Sequence, residues 1–218
     1  DDFTGTIVIN RGADRPYEYP PLSLLKECEN SAEVYDENVE VNNQRLEQIN
    51  SIFDDLGIGA KATSYEIGPS VTRFNILPNS NVSISVVEKY ISDLSSRLGG
   101  LSVRFEKIVE GRMGSALEIP NHKIMMVTAK EGIQSLPKNG KKADFNIAFG
   151  RAIDGKDLYA KLNKFPHLLV SGTTGSGKSV FLNSLLVTLI MRNSPDQLKL
   201  FIVDPKDVEF TRFNGIPH

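Results

Sequence analysis

The chain has a single cysteine, Cys28, in 218 residues, so no internal disulfide can form, and this usage suits a reducing compartment. Its three histidines, His122, His167 and His218, lack the spacing and the carboxylate company of a metal site, so structural roles are expected for them. No apolar run approaches the roughly 20 residues of a membrane helix. Neither charge sign dominates. Lys and Arg number 25 against 27 Asp and Glu, a formal net charge of −2. Dedicated nucleic-acid-binding domains are usually basic, so any polyanion contact must come from a local patch. There is no internal repeat and no low-complexity tract. What remains is an apolar fraction of 40%, ordinary for a globular protein and sufficient for a core. The length allows one large domain, or one domain and part of another. The opening Asp1-Asp2 reads as the start of an excised or processed piece.

Residues 1–41 read as an extended lead-in, since Arg15 to Leu22 is interrupted by prolines and Glu27 to Glu40 is acidic and weakly periodic. From Asn42 the pattern strengthens. Leu46, Ile49, Phe53 and Leu56 form a helical stripe that Gly57 can end. Two strand-like runs follow, Ala60 to Ile67 and Val71 to Leu77, joined at Gly68-Pro69. Ser85 and Glu88 have capping-box spacing ahead of an apolar face that runs to Gly99-Gly100. Leu101 to Val109 and Ser115 to Ile119 are further strands, and Met125 to Thr128 is a possible one. Lys138 to Lys142 is a basic turn whose simplest role is a solvated loop. Phe145 to Phe149 and Leu158 to Leu162 read as strands. The expected organisation is α/β: an α+β unit over 42–150, then the first βαβ unit of a P-loop fold over 151–218.

The most informative segment is Gly172-Thr173-Thr174-Gly175-Ser176-Gly177-Lys178-Ser179, which fits G-x-x-x-x-G-K-[ST]. Its glycines let the backbone approach a phosphate with no Cβ in the way. The N–H groups of such a loop and of the helix behind it form a fixed positive site for anionic oxygens. Lys178 is the candidate catalytic residue, reaching the β- and γ-phosphates of ATP, and the Ser179 hydroxyl is the candidate ligand of Mg²⁺. The flanks agree with the motif. Leu168-Leu169-Val170 reads as a buried parallel strand. Leu182, Leu185, Leu186, Leu189 and Ile190 share one helix face, and Asn193-Ser-Pro195 ends it. Leu200 to Val203 reads as a second buried parallel strand with Asp204 at its carboxyl end. Asp204 has two readings. It is either a Mg²⁺-associated carboxylate or a residue that ends a strand and orients a loop, because Pro205 and Lys206 stand where hydrolytic motors carry a glutamate.

Phe165 to Ser179, Asp204-Pro205-Lys206, Glu209 and Gly215-Ile-Pro-His218 resemble, in order and spacing, the FtsK/SpoIIIE family of bacterial double-stranded DNA translocases. Looser matches are Pro20-Pro21 with Leu24-Leu25, Gly68 to Phe74, Glu118 to Asn121, and Gly150, Ile153 and Gly155. Val180-Phe181 departs from the small residues usual in that family, and Met125 to Lys142 matches poorly. The resemblance implies an α subdomain followed by the opening of a RecA-like β subdomain. It implies ATP and Mg²⁺ as cofactors, double-stranded DNA as partner and a homo-hexameric ring. It further implies a cytoplasmic motor tethered to the membrane through an N-terminal domain outside this chain. The Walker B strand, arginine finger and pore loops are expected beyond residue 218, so this piece is expected to bind nucleotide, to hydrolyse it poorly and to hold DNA weakly.

Other readings stand beside that one. A related ring ATPase that pumps DNA or protein in conjugation or secretion would share the phosphate loop, but would not be expected to carry the Gly68 to Phe74 and Glu118 to Asn121 segments. A small-molecule kinase fits poorly with so long an α+β unit before the loop. A nucleotide-binding ring-assembly module is the non-enzymatic reading of the fragment.

Overall fold

The computed structural model describes residues 17–29, 31–107, 114–137, 142–205 and 209–218. Two compact units divide the chain. The first comprises Cys28–Val127 with Gly150–Leu158; the second comprises the residues up to Glu27, Thr128–Phe149 and Tyr159–His218.

The first unit is built on helix α1, Ser31–Asp55. Its buried stripe is Asn38, Asn42, Arg45, Ile49, Ile52 and Phe53, a helical spacing whose first half is polar. The helix starts well before Asn42, inside a stretch expected to be extended, and that polarity is why no apolar pattern marks its first turns. No apolar period marks residues 31–41, yet each buried polar side chain there finds a partner. Asn38 Nδ2 donates to the carbonyl of Lys123 at 2.8 Å, and its Oδ1 accepts from the Lys123 N–H at 3.0 Å. Asn42 Nδ2 donates to Thr72 Oγ1 at 2.8 Å, and Arg45 donates to the carbonyl of Pro120 at 2.8 Å. Burial pushes the Arg45 guanidinium below its ordinary pKa. The helix ends as expected. Ile58 N–H returns to the Phe53 carbonyl (2.8 Å) and Gly57 N–H to Asp54 (3.1 Å), a Schellman pair.

Against α1 lies a four-stranded antiparallel sheet of order β1-β2-β4-β3, with β1 Ala60–Ile67, β2 Val71–Pro78, β3 Arg104–Glu106 and β4 Ser115–Pro120. Phe74 pairs with Leu117 and Thr72 with Ile119, so alternate residues of β2 and β4 point at the helix. With Ile49, Phe53, Val87 and Leu94 they make the core. The opposite face carries charges in register. Arg73 lies 3.1 Å from Glu118 and 3.0 Å from Glu106, and Arg104 lies 3.4 Å from Glu118. The β1–β2 turn and the end of β4 form one junction: Asn121 Nδ2 donates to the Gly68 carbonyl (2.7 Å), and Thr72 Oγ1 donates to Asn121 Oδ1 (2.8 Å). A Cβ at Gly68 would come 2.9 Å from the Ile153 Cα, so only glycine fits there.

Several local expectations change. The helix after Ser85 is two pieces, α2 Ser85–Lys89 and α3 Ile91–Arg97. Ser85 is inside the first piece, and Ile84 is its N-cap with no side-chain bond, so the capping box is not made. Met125 to Thr128 is not a strand. Thr128 instead caps α4, Ala129–Ser135, by accepting from the Glu131 N–H at 3.2 Å. Most of the Lys138 to Lys142 turn lies outside the described residues.

Strand β5 (Asn146–Arg151) pairs with β6 (Asp157–Lys161), and helix α5 of the second unit spans Lys178–Arg192. Ile147, Leu185 and Leu189 form a small core with Phe145, Leu162, Phe181, Leu186 and Leu198 around it. The two parallel strands expected beside α5 are not formed among the described residues: 168–170 and 200–203 are extended without a ladder. Leu169 is 90% exposed and Phe201 91%. A strand exists only through a neighbour, and among the described residues neither segment is part of a hydrogen-bonded ladder; an isolated bond from Leu200 N–H to the His218 carbonyl (2.8 Å) does not make a sheet. No helix among the described residues is long and apolar enough to cross a membrane.

The C-terminal end of α5 is fixed by buried polar groups. Arg192 Nε donates to Asp144 Oδ2 at 2.8 Å, and its other terminal nitrogen pairs with the same oxygen. Asn193, fully buried, accepts from the Asp144 N–H (2.7 Å) and donates to the carbonyls of Asp144 (2.7 Å) and Leu189 (2.8 Å). Its carbonyl lies 2.8 Å from His218 Nε2. Asp144→Ala is therefore expected to lower stability by about 3–5 kcal/mol, the cost of stranding a buried cation. Asp55→Ala, which breaks the exposed pair with Arg97, should cost under about 1 kcal/mol. Urea unfolding followed by circular dichroism checks the contrast, and equal losses would show that the Asp144 network is not the anchor.

Candidate functional site

The loop before α5 folds back on itself. Ser176 N–H bonds to the Thr173 carbonyl at 3.2 Å, closing a turn, and a Cβ on Gly172 would collide with Ser176 Oγ. Gly175 and Gly177 have φ of +82° and +91°, a region that costs an L-residue with a side chain roughly 1–2 kcal/mol. Gly177 is the N-cap of α5 and no side chain caps the helix. Phe181 N–H makes the bond back to the Gly177 carbonyl at 2.9 Å, while the first-turn N–H groups lie ahead of the repeating ladder. A helix N-terminus of this kind attracts anions through its dipole and its free donors.

A pocket of about 410 Å³ opens over this loop, lined by Gly172 to Gly175, Gly177 to Val180 and Glu209. Lys178 and Ser179, the first residues of α5, both face it. Thr173, Thr174 and the flanking glycines line it as the motif requires, and Ser176 folds back within the loop.

Three residues acquire roles that the motif did not specify. Glu209 reaches into the pocket and accepts a hydrogen bond from Ser179 Oγ at 2.7 Å. Asn183, one turn beyond Ser179, donates to the Ser179 carbonyl at 2.8 Å. Phe181, unusual at its position, stacks on Phe149 with centroids 5.4 Å apart and joins the small core. Asp204 is not among the pocket's lining residues; its Oδ2 accepts from the backbone N–H groups of Glu209 (2.9 Å) and Phe210 (3.1 Å). Glu209 stands out in the sequence only within the family resemblance, and nothing local to it predicts its approach to Ser179.

A glycine-turned loop that delivers Lys178 and Ser179 into the first turn of a helix defines a P-loop protein, a class that binds nucleotide phosphates. The chain belongs to the FtsK/SpoIIIE family: the FtsK/SpoIIIE family model matches residues 130–218 and the FtsK alpha domain model matches residues 19–121. It is 38% identical over 94% of its length to the DNA translocase FtsK of Bacillus cereus, and 36% identical over 94% to the DNA translocase SpoIIIE of Bacillus subtilis. It is 39% identical over 93% to the DNA translocase FtsK of Caldanaerobacter subterraneus. It spans only about a quarter of these relatives, 26%, 26% and 28% of their lengths. Among solved structures, the pCW3 conjugation coupling protein TcpA, in its monomer form with ATPγS, is 22% identical, with 67% of this chain and 42% of that one covered. Its TM-score is 0.28, too low for the likeness to bear on the site.

Gly177→Ala is expected to destabilise the loop by about 1–2 kcal/mol through the left-handed backbone alone. Its effect should concentrate on phosphate binding, because no packed neighbour meets a Cβ there. Amide exchange in residues 172–180 measures it; unchanged protection and unchanged nucleotide affinity together would show that the positive φ is not required.

Proposed function

We propose that this chain is the nucleotide-engaging part of an ATP-driven motor that moves double-stranded DNA during chromosome segregation and cell division. The observation that carries the reading is the loop from Gly172 to Ser179, with its left-handed glycines, uncapped helix and paired lysine and serine, in a chain of the FtsK/SpoIIIE family. Residues 42–150 are read as the α subdomain and 151–218 as the opening of the ATPase subdomain. Activity, substrate and partners are proposals, since the chain spans about a quarter of its relatives.

Each residue has a definite task in this reading. The N–H groups of the loop and of the first turn of α5 hold the phosphate oxygens of ATP. Lys178 places an ammonium against the β- and γ-phosphates and offsets the charge that moves outward as the terminal phosphoryl group leaves. Ser179 would hold Mg²⁺ through its hydroxyl oxygen, and the cation would supply charge neutralisation to the phosphates. The residues present fit such a group: the pocket is lined by the phosphate loop, and the Ser179 hydroxyl and the Glu209 carboxylate meet on its wall. In the complete protein the motor is read as a homo-hexameric ring around duplex DNA, cytoplasmic and tethered to the membrane by a separate domain.

Lys178→Ala should weaken Mg-ATP binding by about 1–3 kcal/mol, the loss of a charge-assisted contact. A calorimetric titration checks this, and unchanged affinity would remove the phosphate-site reading. Duplex DNA should bind this chain only weakly, at roughly 10⁻⁴–10⁻⁶ M and with a steep loss as salt rises. Its net charge is −2, and the arginines on the outer face of the sheet are paired with Glu106 and Glu118. Anisotropy titrations beside a full-length relative, at one salt concentration, test the point; equal affinity would put the DNA-gripping surface within residues 1–218.

A further inference from the structure

Glu209 enters the phosphate-loop pocket from outside the loop, and the G-x-x-x-x-G-K-[ST] motif does not call for it. Its Oε1 accepts from Ser179 Oγ at 2.7 Å. The hydroxyl is the donor, so its proton lies on this line. A serine oxygen carries one proton and two lone pairs. With the proton committed to Glu209, the lone pairs are left for a cation, and the pull on the O–H bond makes the oxygen a stronger ligand.

The placement is braced on both sides. Asp204 Oδ2 accepts from the N–H groups of Glu209 and Phe210, fixing the backbone that presents the carboxylate. Asn183 holds the Ser179 carbonyl from within α5. We infer that Glu209 is a positioning residue for the divalent cation that accompanies the nucleotide. It orients the Ser179 hydroxyl and supplies a negative charge behind it, and Asp204 serves the backbone of Glu209 rather than the cation itself. This inference rests on the reading of the pocket as a nucleotide site.

Charge makes the effect of the carboxylate opposite in sign with and without metal. Facing bare phosphate, Glu209 repels; with a divalent cation between them it attracts. A residue that merely holds the loop in shape would lower affinity in both media when changed. The test is a calorimetric titration of the 218-residue chain with a non-hydrolysable ATP analogue, once in EDTA and once in excess Mg²⁺, for the unaltered protein, E209Q and E209A. Circular dichroism confirms the fold of each variant.

In Mg²⁺ the unaltered chain should bind more tightly than in EDTA, and this gain should shrink by about 10–100-fold in E209Q and E209A. In EDTA the variants should bind at least as tightly as the parent. An undiminished Mg²⁺ gain overturns the inference while leaving the nucleotide site standing. A parallel tightening in both media also overturns it, because the carboxylate would then be only an obstruction. Weakening in both media assigns Glu209 to loop structure and overturns it as well. Failure of the unaltered chain to bind the analogue in either medium removes the nucleotide reading, and the inference with it.

Discussion

Helix α5 presents the lysine and serine of the phosphate loop at one end and is pinned by Asp144 at the other. That single carboxylate partners Arg192, while the backbone on either side of it is met by Asn193. A cation in the last turn is already favoured by the helix dipole, and the shared carboxylate turns this preference into a fixed position. The free energy of such a buried pair is small relative to an apolar replacement, but its geometry is demanding. Asn193 cannot satisfy three bonds at once unless α5 ends where it does. The position of the loop therefore follows from residues about 20 Å away along the axis, given a 1.5 Å rise per residue.

Polar side chains do comparable work in the other unit. Asn38, Asn42, Thr72 and Asn121 bond through their side chains to backbone or to another side chain. An apolar interface tolerates sliding by a fraction of a residue. Paired amides do not, because a shift leaves a buried donor without an acceptor at about 1–3 kcal/mol. The Gly68 turn, the end of β4 and the N-terminal half of α1 are thus fixed relative to one another by directional bonds. The apolar half of α1, from Ile49 to Phe53, supplies the bulk of the burial.

Much of this was legible in the residues. The hairpin at Gly68-Pro69, the helix end at Gly57, strands β4 to β6 and the phosphate loop each carry a local signature: turn residues, alternation, or a fixed glycine spacing. What was hidden is non-local. The early start of α1 could not be read because its buried stripe is polar there, and hydropathy marks burial only for apolar side chains. Leu168 to Val170 and Leu200 to Val203 have strand composition, but a ladder is a property of two segments and not of one. Ser85 and Glu88 have the spacing of a cap, yet the chain turns into the helix one residue earlier. At the site, motif spacing located Lys178 and Ser179, whereas Glu209 meets Ser179 from outside the motif, its backbone N–H held by Asp204.

The exposed run Leu200-Phe201-Ile202-Val203 bears on how such a chain behaves at high concentration. Four consecutive strand-forming residues outside any ladder, with Phe201 almost fully in solvent, have the composition of a segment that recruits copies of itself into intermolecular sheets. Lys199 precedes the run, and Asp204 and Pro205 follow it. A charge at each end repels an in-register copy, and a proline removes the donor that a growing ladder would need. Asp204, whose carboxylate holds the backbone beside the phosphate site, therefore also guards solubility: with Pro205 it closes off the apolar run and doubles as a gatekeeper against aggregation.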